Sequence, residues 1–199
     1  MGRLPEVFMR RKDREMSREY GLSVIDRSAF GVLSVHDPDH PDLPYSLPLS
    51  IARRGEKLYF HSARDGYKYE LLQQDQPVRL VFVDRVQVAD LFSEEDLQDL
   101  ADRGKISDLL SKVFTTEYSS AIVTGTVAGI DSVDQPDEFR LAMRTICEKY
   151  TPDKMDYFAA ALDFSLKRLA VFAISIDSIT AKRKQFDAGG EEMKWQRLE

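Results

Sequence analysis

Cysteine is almost missing from this chain of 199 residues: Cys147 stands alone. An internal disulfide is therefore impossible, and the opening MGRLPEVFMRRKDREM lacks the apolar core of a secretory signal, so a reducing, cytoplasmic setting is expected. Long apolar runs are missing as well. The stretch 169–174 (LAVFAI) is far shorter than the roughly 18–20 residues that cross a bilayer, so no membrane partner is expected. Positive charge is not in excess: 28 Lys and Arg against 34 Asp and Glu leave a net charge of −6. That balance supplies no bulk field to attract nucleic acid or an anionic lipid surface. The phosphate-binding G-x-x-x-x-G-K-[ST] loop, the G-x-G-x-x-G turn, the G-x-S-x-G elbow, the H-E-x-x-H helix and zinc-spaced cysteines are all absent, which removes several large enzyme classes.

What is present is ordinary globular material, 43% hydrophobic and 31% charged, of a length that suits one domain over 1–199. Charge is uneven along it. Residues 1–18 carry six basic side chains against three acidic, and 84–108 carry eight acidic against three basic. Both read as solvated surface or, at Arg10 and Arg11, as an anion site. The periodicity predicts a helix over 12–28, a strand over 30–36 and a loop at DPDHPDLP (37–44). Tyr45 to Ala52 then alternates as one half-buried strand, although Pro48 restricts it to an edge, a bulge or a ligand contact. A turn at Arg54-Gly55 leads to a strand over 57–62 and a short helix over 65–74. Further strands are predicted at 78–83, 119–130 and 169–176, with helices starting at the Ser93 cap, at Phe139 to Tyr150 and over 153–163. Clustered strands with short connections, and helices that do not alternate with them, indicate an α+β fold built on an antiparallel sheet or barrel.

Few residues offer chemistry. Cys147 lies on the apolar stripe of the strongest helix, where an inert thiol is expected. His36, Asp37, Asp39 and His40 are metal-capable, but two prolines break their spacing, and no metal site is expected. His61 is different, because it ends a strand and leads through Ser62 and Gly66 to Lys68. A hydroxyl, a backbone free to approach and an ammonium make a phosphate cradle, an arrangement that also arises with no ligand in many folds. The tight turn makes the Pro48 strand its neighbour.

The runs PYSLPLSI (44–51), LYFHSARDGYKYELL (58–72) and FTTEYSSAIVTGTV (114–127), in that order, resemble the FMN-binding split-barrel superfamily of pyridoxamine phosphate oxidase, and within it the nitroimidazole-resistance-related branch. The resemblance covers roughly 9–182. It implies a six-stranded antiparallel split β-barrel with flanking helices, forming a homodimer with a flavin site shared between two chains. Pro48, Leu49 and Ser50 would line the flavin ring, His61 its edge, and Ser62 with Lys68 the phosphate. Tyr118, Ser119 and Ser120 would come from the partner chain, and Arg10 and Arg11 would close the site. The acidic stretch 85–112, expected to be a helical insertion, and the tail 186–199 have no counterpart in the pattern. Trp195 in that tail suggests packing at a dimer surface.

The expected function is an FMN-dependent oxidoreductase, taking hydride from NADH or NADPH and reducing a small molecule such as a nitro-aromatic. His61 would be its proton donor or a hydrogen-bonding partner only. FAD and haem remain alternative cofactors, and a carrier or sensor without turnover, with His61 as an axial ligand to haem, is the rival reading.

Overall fold

The computed structural model describes residues 9–105, 107, 109–166 and 168–194. In chain order its elements are β1 (Glu15–Met16), α1 (Arg18–Arg27), β2 (Gly31–Val35), β3 (Tyr45–Leu49), β4 (Ala52–Arg54), β5 (Lys57–Ala63), α2 (Tyr67–Leu71), β6 (Gln76–Gln87), α3 (Glu94–Asp102), β7 (Glu117–Ile130), α4 (Pro136–Tyr150), α5 (Phe158–Ser165) and β8 (Leu169–Lys184). Turns of 3₁₀ helix at Lys12–Arg14 and Pro152–Tyr157 precede β1 and α5. Among the described residues no helix is long and apolar enough to cross a membrane. The chain divides into two compact units. One holds 25–82 and 122–179, and the other holds the described residues before 25, 83–121 and those from 180 on.

The larger unit carries the curled antiparallel sheet. Strand order is β3-β2-β6-β7-β8-β5-β4, which puts β3 and β4 at opposite ends, yet only Ser50 and Ile51 separate them in sequence. Three Cα steps reach about 11 Å at most, so the sheet has to curl until its ends meet. This corrects the single strand expected over 45–52. The alternation is continuous because both halves present an apolar face, but the two halves pair with different neighbours, β3 with β2 and β4 with β5. That break, together with the two-residue β1, makes eight strands where six were expected. Pro48 sits on an end strand, paired on one side only with Val32, where its missing N–H costs no ladder bond.

One face of the sheet buries Leu33, Leu58, Phe60, Leu80, Phe82 and Phe172, with the rings of Phe60 and Phe172 stacked at 5.0 Å. The opposite face of β4, β5 and β8, at Ala52, Tyr59, Val171 and Ala173, packs under Phe139, Ala142, Met143 and Ile146 of α4 and Phe158 and Leu162 of α5. Both faces of β5 are therefore buried until His61. Helix α4 starts with Pro136 at its first turn and two acids, Asp137 and Glu138, matched to the helix dipole.

The smaller unit begins with a helix shorter than the one expected over 12–28. The Ser17 side chain accepts from the Tyr20 N–H at 3.2 Å and caps α1 there, and the preceding residues pair as β1 with Lys182 and Ala181 of β8. The acidic stretch contains α3, started by a capping box between Ser93 and Asp96. Beyond Phe186 the tail turns back on itself, and Glu192 pairs with Arg14. Trp195 lies outside the described residues.

Candidate functional site

Strand β5 delivers the cradle. His61 stands on its exposed side, and Ser62 turns the other way, 5% exposed, donating its hydroxyl to the Ala63 carbonyl at 2.8 Å. Gly66, at φ 87°, holds a left-handed backbone that a side chain would oppose, and α2 starts directly after it. This helix has five residues, so its dipole is small and attraction for an anion rests on the Lys68 ammonium. Lys68 is half-buried, and burial lowers its pKa. Among the described residues it has no carboxylate partner. The His61 imidazole is accessible but crowded, and partial desolvation, followed by the nearby Lys68 charge, lowers its pKa as well. The two groups are close enough for the Lys68 charge to disfavour protonation of His61.

The loop before β3 is tied to this cradle. Asp37, buried, accepts the Tyr67 hydroxyl, and its Oδ1 also accepts the backbone N–H of Asp39 at 3.0 Å and of His40 at 3.3 Å. The hydrogen bond from Tyr67 is the main cause of the lowered Asp37 pKa, and it pushes that of Tyr67 up. Tyr45 meets Tyr67 edge to face at 5.4 Å. Asp37 is therefore a structural lock, and no group of three metal-capable side chains occurs among the described residues.

Pro48 and Ser50 are exposed and Leu49 is buried. Pro48 lies across from Val32, 41% exposed, which in turn pairs with Val81 of β6. The row Pro48, Val32, Val81 is an apolar strip on an accessible sheet face, and Phe30, 59% exposed, begins the same face of β2. A planar aromatic group suits such a strip, and a phosphate suits Lys68.

The remaining predicted residues belong to the smaller unit. Tyr118 and Ser119 line a cavity of about 300 Å³ with Arg85, Gln87, Glu117, Lys184 and Gln185. The Ser119 hydroxyl is buried and lies 2.6 Å from that of Tyr20, while the Tyr118 ring lies under the Lys182 ammonium. Ser120, on the other face of β7 from Ser119, is half-buried. Arg85 holds φ at 53°, an uncommon conformation for a residue with a side chain. Glu117 is buried and accepts the Phe186 N–H and the Gln87 amide. Arg10 is exposed, whereas Arg11 is held in a two-point pair with Asp13 at 2.8 and 2.6 Å. That contact raises the Arg11 pKa and lowers that of Asp13, and an anion at Arg11 would have to compete with it. Lys184, Gln87 and Arg85 escaped the sequence reading. The basic run Lys182-Arg183-Lys184 was the available signal, hidden because β8 runs eight residues beyond its expected end at 176. Cys147 is half-buried and burial raises its pKa, in keeping with an inert thiol.

Residues 17–96 match the family model described as pyridoxamine 5′-phosphate oxidase. That match covers the cradle and the Pro48 strand in one stretch, on a sheet of the split-barrel kind. Over that stretch the chain is similar to the pyridoxamine 5′-phosphate oxidase family. Solved structures similar to this chain include a protein named for 5-nitroimidazole antibiotic resistance from Bacteroides thetaiotaomicron, 20% identical, covering 85% of this chain and 86% of that one with a TM-score of 0.61. An FAD- and haem-binding protein from Mycobacterium smegmatis is 19% identical over 86% of this chain and 73% of its own, with a TM-score of 0.60. A flavocytochrome from Azotobacter vinelandii is 15% identical over 89% and 70%, with a TM-score of 0.59. Likeness at these identities speaks for the fold. Comparison with curated proteins gives no match.

Proposed function

We propose that this protein is a flavin-dependent oxidoreductase, with FMN as the cofactor and with the site completed by a second copy of the chain. The observation that carries the reading is Lys68, an ammonium partly removed from water with no carboxylate beside it among the described residues. Such a group costs folding free energy unless an anion arrives, and a flavin phosphate is the anion that the superfamily suggests. The accessible strip of Pro48 and Val32 would take the ring face, with Leu49 and Ser50 fixing its edge. Tyr118, Ser119 and Ser120 of the partner copy would close the other side. When bound, such a flavin supplies two-electron chemistry, accepting a hydride equivalent from NADH or NADPH and passing electrons to a small acceptor, for which nitro-aromatics are the first class to try. The protein's own task is then to bind, orient and exclude water, which accounts for the missing acid–base motif. His61, kept neutral by its lowered pKa, would accept a hydrogen bond at the ring edge or relay a proton from solvent. We place this activity in the cytoplasm.

The test is a spectrum. Purified protein should show flavin bands that bleach with NADH or NADPH and return with a nitro-aromatic, and colourless protein that takes up neither FMN nor FAD would refute the proposal. A second reading, a non-catalytic carrier or sensor of flavin or haem, draws on the same neutral, accessible His61, whose free lone pair is what axial ligation needs. A Soret band would favour it.

A further inference from the structure

The two-residue link that joins the ends of the curled sheet is held by a helix that takes no part in the proposed site. Neither Ser50 nor Ile51 belongs to a strand, and the Ile51 side chain is fully buried. Its carbonyl accepts two hydrogen bonds from the last turn of α4, one from Lys149 Nζ at 2.9 Å and one from the Tyr150 hydroxyl at 3.0 Å. A carbonyl oxygen has two lone pairs, and both are used. The same ammonium donates to the Ile25 carbonyl at 3.0 Å, an acceptor in the last turn of α1 that has no partner within its own helix. Lys149 is half-buried, and burial lowers its pKa while Asp26 opposes that shift. Asp26 is itself engaged by Arg53 through two bonds, at 2.9 and 2.5 Å. A charged group is thus spent on backbone carbonyls at a place where Met or Leu would pack without desolvating a charge.

We infer that Lys149, acting with Tyr150 through the Ile51 carbonyl, is a positioning residue that sets Pro48, Leu49 and Ser50 for the ring of the bound flavin. Strand β3 has a neighbour on one side only, so its position at the link is restrained less than that of strands paired on both sides, and the carbonyl of Ile51 is where α4 takes hold of it. This inference rests on the flavin reading proposed above. It predicts a signature distinct from that of the phosphate anchor: losing Lys149 harms binding of the ring, so FMN and riboflavin suffer alike.

The experiment compares wild type, Lys149→Met and Lys149→Arg, each checked for cooperative unfolding and titrated with FMN and with riboflavin, together with the visible circular dichroism of the bound flavin. Lys149→Met is expected to raise both dissociation constants roughly tenfold and to alter the dichroism, and Lys149→Arg, which can still donate to both carbonyls, to restore most of each. Wild-type constants for both ligands in Lys149→Met would overturn the inference, and so would a loss confined to FMN. If Lys149→Met does not fold, Tyr150→Phe removes one of the two bonds to Ile51 and should weaken both ligands roughly threefold, with unchanged constants overturning the inference. Wild type that binds no flavin would instead remove the reading beneath it.

Discussion

Replacing Lys68 with alanine separates a phosphate anchor from a structural lysine. In the free protein the Lys68 ammonium is half-buried, desolvated enough for its pKa to fall, and without a carboxylate partner among the described residues. Its loss removes a mild cost and no ion pair, so Lys68→Ala should unfold at the wild-type temperature or slightly above. With FMN bound, the same side chain would make a charge-assisted hydrogen bond to phosphate, a kind of contact that contributes about 1.5–3 kcal/mol. At 1.4 kcal/mol per factor of ten, the FMN dissociation constant should rise by roughly 10- to 150-fold. Riboflavin lacks the phosphate and serves as the control, with its affinity unchanged. Flavin fluorescence quenching during titration reads both constants, and a thermal melt reads stability. An unchanged FMN constant, or an equal loss for riboflavin, would refute the anchor. A large fall in melting temperature would mean that Lys68 holds the free protein together and is not reserved for phosphate.

The same site carries a pH signature. Crowding and the Lys68 charge lower the His61 pKa, so the neutral imidazole is favoured in the fold. That part of the stability is whole above the unfolded value of about 6.5 and is lost as pH falls through the lower folded value. A bound phosphate would raise the lowered Lys68 pKa, so FMN should bind more tightly as pH falls from the ordinary lysine value of 10.5 through the lower Lys68 value while riboflavin stays level, and equal profiles in calorimetric titrations would contradict this. Gly125→Ala should be severely destabilising, because a Cβ there would lie 2.3 Å from the Ser175 carbonyl oxygen and 2.8 Å from the Ile174 side chain. Overpacking against backbone of this kind costs about 3 kcal/mol, a melting temperature lower by roughly 6–12 °C, and an unchanged melt would mean that β7 and β8 can part easily. Dilution to monomer, followed by sedimentation with detection at the flavin band, should release flavin, and monomers that keep it would exclude a shared pocket.

Local rules carried a good deal of this molecule. The Ser93 cap with Asp96 three residues on and the stripe Phe139, Ala142, Met143 and Ile146 stopped by Pro152 are written in side-chain size and period, and each stands where the sequence put it, whereas the helix expected over 65–74 is only Tyr67–Leu71, with Gly66 outside it. The motif order 44–51, 58–72 and 114–127 pointed to the split barrel for the same reason, since each run is short and contiguous. Partners distant in sequence were another matter. An unbroken alternation from Tyr45 to Ala52 could not reveal that its two halves belong to opposite ends of the sheet, because period 2 reports which face a residue takes and not which strand lies beside it. Likewise the sequence placed Lys149 on a helix, and only packing brought its ammonium to the carbonyls of Ile25 and Ile51, 124 and 98 residues away. Hydrogen bonds to backbone leave no mark on residue type at the acceptor, so tertiary structure alone decided them.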